Sequence, residues 1–402
     1  MIRYLRCQGC LKSLELRYND IVEMYKNIIK PILFLLTPDF THKLIVFCGR
    51  MAQALPPVRW VIRKLCSFRD KLLQQEVDGI TFCNPIGLSA GFDKNVQLSP
   101  LMEDVGFGFA SGGSVTLEPR KGNRRPWFHR LPKTKSVVVF AGMPNKGLRK
   151  IRSYIERNTR RSSNAVSVIS VAVIANKTTI EQADGYPTEQ AIINDVKKAT
   201  EYIIHNKLAS VVEINISCPN AGKEPFIEAK SLDVLLTALD TVPRDVSFWV
   251  KMPHLYDVVQ FDSLLKVIVQ HNVQGVTVAN LVKDRSKIDI KDPLTDKTRG
   301  GLSGAPTREH SLELIRYAYK KYGDKLIIIG VGGVFSAEDA YVKIKAGASL
   351  VGLITGLFFE GPQLVGRINR GLVELLKKDG FSHISEAVGA DFRSESKKAK
   401  KL

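Results

Sequence analysis

A (β/α)8 barrel preceded by a small helical region is the fold that the sequence predicts. Three observations carry it. From residue 80 onward, eight short apolar runs alternate with helical stretches. The runs are apolar throughout rather than at every second position, as in parallel strands covered on both faces. Eight such units in about 300 residues suit a closed barrel better than a doubly wound sheet.

The elements follow in order. The opening MIRYLRCQGCLKSLELRYND has no apolar signal-peptide core, so nothing in it marks the chain for secretion. Cys7 and Cys10 form a lone CxxC without a second pair, which is weak ground for a zinc or redox site. Residues 21–75 read as helical and greasy. In IVEMYKNIIKPILFLL, residues Ile21, Met24, Ile28, Ile32 and Leu35 recur every three or four positions. THKLIVFCGRMAQAL follows, with Thr41 as the expected N-cap. In VRWVIRKLCSFRDKLL, residues Arg59, Arg63, Lys64, Arg69 and Lys71 interleave with Trp60, Ile62, Leu65 and Phe68. Two readings fit: helices lying in a membrane interface with cations toward anionic headgroups, or a helical cap packed on the main domain.

The expected barrel strands are 86–90, 107–113, 166–174, 210–216, 246–252, 275–280, 326–331 and 350–355. The basic tail SESKKAKKL reads as disordered. The domain plan is therefore 1–75 helical, 76–393 barrel and 394–402 tail. No apolar stretch reaches the roughly 18–20 residues that span a bilayer. Lys and Arg total 59 against 40 Asp and Glu, a net charge of +19 that suggests an anionic partner. Such a partner is a membrane surface, a nucleic acid or a phosphorylated ligand. Nucleic acid has little support, because no RNA-binding motif interleaves with the basic residues. The six cysteines are scattered, as in a reducing compartment.

The active site of such a barrel lies where the strands end. Reading only those ends gives AGFDKN, GGSVT, NISCPN, Lys251, Asn280, GVGGV and ITGL. Lysines, amides, small residues and one thiol therefore share a rim. GVGG, with Thr355 and Gly356, lets backbone N–H groups approach an anion after strands seven and eight, so a phosphorylated ligand is expected, FMN among the candidates.

Several segments also carry a family likeness. NPIGLSAGFDKN, GFGFASGGSVTLEPRKGNRRPWFHRL, GGLSG, IIGVGGV, KAGASLV and AVGADFR resemble the signature segments of the dihydroorotate dehydrogenases. The resemblance runs from about residue 24 to 393. It implies an FMN enzyme of pyrimidine biosynthesis on a barrel, oxidising dihydroorotate to orotate. LFLLTPDFTH is similar to the opening of the class 2 branch, which is membrane-associated and reduces quinone. That likeness implies a quinone tunnel lined by His42 and Arg130, and a membrane quinone and anionic membrane surface as partners. It also implies a peripheral location on the cytoplasmic face of the inner membrane.

Site residues follow from the same resemblance. Cys218 falls at the proton-abstracting base, where class 2 members usually carry serine and class 1 members cysteine. Lys94 bridges flavin and substrate carboxylate. The substrate is held by Lys94, Asn215, Asn220, Asn280, Gly142 and Met143. The cofactor contacts are Ala90, Gly91, Ser114, Asn215, Lys251, Ala279, Gly304, Gly333, Ile354 and Thr355, with Lys251 near the flavin's N1–O2 edge. GMPN and PNAGKEP are closer to class 1. Three positions depart from the pattern: Val139 stands for a substrate asparagine, Leu281 for a hydroxyl residue, and Ala172 for a flavin-contacting asparagine. Two alternatives stay open: an FMN oxidoreductase with another cyclic substrate, or a membrane-bound barrel that binds a phosphorylated ligand without redox chemistry.

Overall fold

A computed structural model describes residues 22–161, 166–174, 187–217, 225–295 and 298–393. Thirteen strands occur among them. They are β1 Gln75–Val77, β2 Ile80–Phe82, β3 Ile86–Leu88, β4 Phe109–Val115, β5 Phe128–Leu131, β6 Ser136–Val139 and β7 Val166–Ala172. The remainder are β8 Val211–Asn215, β9 Ser247–Lys251, β10 Gly275–Val278, β11 Gly301–Gly304, β12 Ile327–Val331 and β13 Leu350–Leu353. Strands β3, β4, β7, β8, β9, β10, β12 and β13 pair in parallel in that order and close into a barrel. The eight expected strands are these eight: seven have ends trimmed by up to two residues, and β4 starts and ends two residues later than expected.

The barrel's lower interior is filled by Phe109, Val166, Val168, Val211, Trp249, Ile329 and Leu350. Beneath them the antiparallel β1–β2 hairpin inserts Phe82, whose ring meets that of Phe109 edge-on at 5.8 Å. This floor leaves only the opposite end, where the strands stop, open for a ligand. Surrounding helices present apolar stripes to the strands, and three of them begin on side-chain caps. Asp257 accepts from Val259 N at 2.8 Å, and Thr188 from Ala191 N at 3.2 Å. A second, antiparallel sheet of β5, β6 and β11 stands over the open end. It was not anticipated, because four-residue runs such as FHRL carry too few residues to show a period.

Three helices precede the barrel: α1 over Val22–Leu35, with a π turn at Tyr25–Ile29, α2 over Pro38–Ala52, and α3 over Pro56–Cys66. Thr41 is not the N-cap. Pro38 starts α2 three residues earlier, its fixed φ suiting a first turn. The Thr41 hydroxyl instead donates to Thr37 O at 3.0 Å inside the helix. The helical region stops at Cys66, and Gln75 already opens the hairpin.

The expected spread of cations toward a membrane is corrected in part. Asp104, fully buried, accepts from Arg59 Nε and Arg63 Nη2, each at 2.5 Å. Arg69 approaches Glu103 at 3.4 Å. Those three cations fasten α3 and the following turn to the barrel, which leaves Lys64 and Lys71 on the surface. The apolar stripe points away from the barrel: Met24, Ile28, Ile32 and Leu35 are exposed. Among the described residues no single helix is long and apolar enough to cross a membrane. The bent pair α1 and α2, at 119°, satisfies length and composition together.

Candidate active site

Strand ends interlock through amides. Asn215, the last residue of β8, donates from Nδ2 to Ser114 Oγ at 2.8 Å. Ser114 Oγ lies 2.9 Å from Ser170 Oγ. Asn280 Nδ2 donates to Asn215 Oδ1 at 3.1 Å and to Ser217 O at 2.5 Å, while its Oδ1 accepts from Leu281 N at 2.8 Å. The ends of β4, β7, β8 and β10 are thereby fixed to one another. Lys251 closes β9 with a side chain that is 5% exposed, and its ammonium has no partner among the described residues. A buried cation without a partner is costly and calls for an anion or a polar ligand edge.

Lys94 leaves the loop after β3. Its neighbour Asp93 holds that loop by accepting from Leu98 N at 2.7 Å. Lys94 Nζ donates to Gly91 O at 2.5 Å and lies 4.8 Å from the Phe128 ring centre. Burial lowers its pKa to about 8, against the pull of Asp93 and Asp39. His42 on α2 donates from Nε2 to Phe92 O at 2.8 Å, and its ring packs on those of Phe92 and Phe128. Burial and the nearby Lys94 push its pKa down to about 3, so it is neutral at physiological pH.

At the far side, Gly332 (φ +116°) and Gly333 (φ +66°) turn the chain through the left-handed region. A β-carbon on Gly332 would come within 2.9 Å of Ser311 Oγ and Thr307 Oγ1, so the turn needs glycine for closeness as well as for φ. Thr355 faces it, its Oγ1 2.9 Å from Ser303 Oγ.

One cavity collects these groups. His42, Ala90, Gly91, Lys94, Ser114, Gly142, Met143, Asn215, Lys251, Ala279, Asn280, Gly304, Gly333, Ile354 and Thr355 all line it. Its free volume, open mouth included, is about 1270 Å³. Arg130 is not in the lining. Its guanidinium donates to Phe34 O at 3.1 Å, contacts Leu36 O at 3.4 Å and stacks 4.1 Å over the Phe34 ring, holding the α1–α2 junction. Cys218 and Asn220 lie outside the described residues, as do Cys7, Cys10, Ile21 and the 394–402 tail. Val139 and Leu281 do line the cavity, whereas Ala172 packs beneath it with Met143 and Ile174.

The sequence did not reveal the apolar wall made by Phe92, Phe128, Val137, Phe335 and Phe358. These residues come from five separate segments, and no spacing links them.

A barrel closed at its floor, with an unpaired buried cation, clustered amides and a glycine turn at its open end, is a cofactor-type barrel enzyme. The family model described as dihydroorotate dehydrogenase matches residues 72–376. A dihydroorotate dehydrogenase (quinone) of Deinococcus deserti is 35% identical over 381 residues, covering 92% of this chain and 100% of its own length. One of Nocardia farcinica, of the same name, is 33% identical, covering 92% and 98%. The crystal structure of a DHODH from Eimeria tenella in complex with ferulenol matches with a TM-score of 0.76 at 25% identity, covering 89% of this chain and 96% of that one. The chain belongs to the dihydroorotate dehydrogenase family.

Proposed function

We infer that this chain is a quinone-dependent dihydroorotate dehydrogenase: it oxidises dihydroorotate to orotate in pyrimidine biosynthesis with FMN as cofactor and passes the electrons to a membrane quinone. One observation carries the reading beyond the family likeness. A single cavity runs from His42 on α2, past an apolar wall, to the amides and Lys251 at the strand ends. An apolar electron acceptor and a polar ring thereby reach the same chamber from different sides.

The residues present fit FMN. The unpaired Lys251 ammonium suits a flavin edge that gains negative charge, and the Gly332–Gly333 turn suits its phosphate. When bound, FMN supplies a two-electron acceptor for the substrate's hydride. The chain does the rest. Asn215 and Asn280 orient the pyrimidine amides, with Asn220 assigned the same role. The Lys94 ammonium pairs with the substrate carboxylate. Cys218 removes the proton from the carbon next to the one that gives up hydride, its thiol needing less help than a serine hydroxyl. The surrounding phenylalanines exclude water.

The exposed apolar face of α1–α3 rests on a membrane surface, where quinone is dissolved. We assign this to the cytoplasmic face of the inner membrane. Steady-state assay with dihydroorotate and quinone, fumarate or NAD in turn tests the whole reading. Turnover with quinone alone supports it, and NAD-dependent turnover would sink it. Faster oxidation of dihydrouracil than of dihydroorotate would transfer the site to a different cyclic substrate, the outcome that Val139 and Leu281 make worth measuring.

A further inference from the structure

Beneath the Gly332–Gly333 turn sits a cation that does not itself line the cavity. Lys343, on the helix Ala337–Lys345, is 1% exposed. Its ammonium donates to Ser311 Oγ at 2.6 Å and to Arg308 O at 3.5 Å, and among the described residues to no carboxylate. Ser311 in turn donates to Arg308 O at 3.0 Å. The acid closest in sequence, Asp339, is spent elsewhere: it pairs with Arg308 Nε at 2.9 Å and accepts from Phe335 N at 2.8 Å. A charge so deeply buried is strongly unfavourable unless something anionic answers it. The turn, which lines the cavity, is close at hand: Ser311 Oγ lies 2.9 Å from where a Gly332 β-carbon would be. Arg308 steadies the same turn by donating from Nε to Gly333 O at 3.0 Å.

We propose that Lys343 is a positioning residue for the cofactor phosphate: a counter-charge held one hydroxyl behind the glycine turn, acting on the phosphate through Ser311 and the turn's backbone rather than by contact. The proposal rests on the FMN reading. It explains why an ammonium is buried without a carboxylate, and why the layer behind the turn carries hydroxyls, Ser311 and Thr307, instead of aliphatic side chains.

The groups around Lys343 set its pH behaviour. Asp339 on its own helix and Glu309 on the helix Arg308–Tyr322 favour its charge. Arg308 opposes it, and His254, after β9, is near enough to feel it. Burial outweighs them all and lowers its pKa to about 7. A bound phosphate raises that value again. The bound state therefore holds the proton more tightly, and affinity for the phosphate is lost as pH rises above about 7.

The test compares FMN with riboflavin, which lacks the phosphate, by fluorescence titration of flavin-stripped protein. Lys343→Met keeps the volume and removes the charge. We expect FMN affinity to fall about ten- to a hundredfold and riboflavin affinity to stay within twofold. Between pH 7 and 9 the wild type should lose about tenfold more FMN affinity than the variant does. Ser311→Ala should lower FMN affinity severalfold by the same route, and it decides the matter if the methionine variant does not fold. An FMN-to-riboflavin preference unchanged in the folded variants overturns the role of Lys343 while leaving the cofactor assignment standing. A wild type that binds both flavins alike overturns the cofactor reading, and this one with it.

Discussion

Proton transfer and carboxylate recognition are the two tasks that single residues decide. If Cys218 takes the proton, Cys218→Ala should keep its flavin and lose about 10²–10⁴-fold in turnover, whereas Cys218→Ser should retain partial activity with an optimum at higher pH. An alanine variant within a few-fold of wild type would remove the thiol from the mechanism. Lys94 makes the second test. With burial holding its pKa near 8, the ammonium is present below that value and lost above it. Orotate affinity should be level up to about pH 8 and then decline by up to tenfold per unit. A titration of the flavin spectrum that stays flat to pH 10 would contradict this. The third concerns Val139, which lines the cavity where the family resemblance expects an asparagine. Val139→Asn should lower KM for dihydroorotate two- to tenfold, since a hydrogen bond contributes roughly 0.5–1.5 kcal/mol. A folded, flavin-loaded variant with an unchanged or higher KM would mean that the wall is shaped for another ring. The polar members of the site were readable because strand ends converge by topology: Asn215, Lys251 and Asn280 are each at or just past the close of an apolar run. Lys343 was not, because its chemistry lies in burial and in a partner that is spent elsewhere, and neither leaves a mark on spacing.

Elements were legible to different degrees, for reasons of length. The eight barrel strands announce themselves because both faces are buried, so each is an unbroken apolar run. Strands β5, β6 and β11 of the covering sheet are four residues each and hold one another by backbone pairing, Phe128 with Val139 and Val139 with Gly301. The helical region was recognised as helical, yet its two faces were partly exchanged. Arg59 and Arg63 look like surface cations by periodicity, but they converge on Asp104, which belongs to the helix Ser99–Val105, 45 and 41 residues further on in sequence. Asp104→Asn should therefore loosen α3. The cost is about 1–3 kcal/mol, less than for a fully enclosed pair because Arg63 is half exposed and can return to water. Limited proteolysis should then cut between Gln53 and Leu72 faster than in wild type, with flavin content unchanged. Equal cutting rates would show that α3 is held by its apolar contacts alone.

Across the whole molecule, exposed apolar area is concentrated in one place. Phe40, Phe47, Met51, Leu55, Trp60 and Leu65 are exposed on α2 and α3 and the turn between them, as are Ile28, Ile32 and Leu35 on α1. Only Val234, Val258, Val259 and Val342 are comparable elsewhere among the described residues. An apolar patch of this kind marks a surface meant to be covered, and His42 of α2, from the same helical region, lines the cavity. On the proposed membrane reading, with Arg59, Arg63 and Arg69 bound to barrel acids, the attachment would be mainly hydrophobic, and Lys64 and Lys71 would add about 1 kcal/mol each on anionic lipid. Changing Phe47, Met51 and Trp60 to serine together leaves the core untouched, since all three side chains face outward. Half-burial of each in an interface is worth about 1 kcal/mol, so vesicle affinity should drop about a hundredfold in the triple variant. Quinone reduction on vesicles should fall with it, while reduction of the flavin by dihydroorotate under anaerobic conditions proceeds at the wild-type rate. Raising salt should weaken wild-type binding only modestly. If the triple variant sediments with vesicles as well as the wild type does, these helices are not what holds the enzyme to its quinone pool.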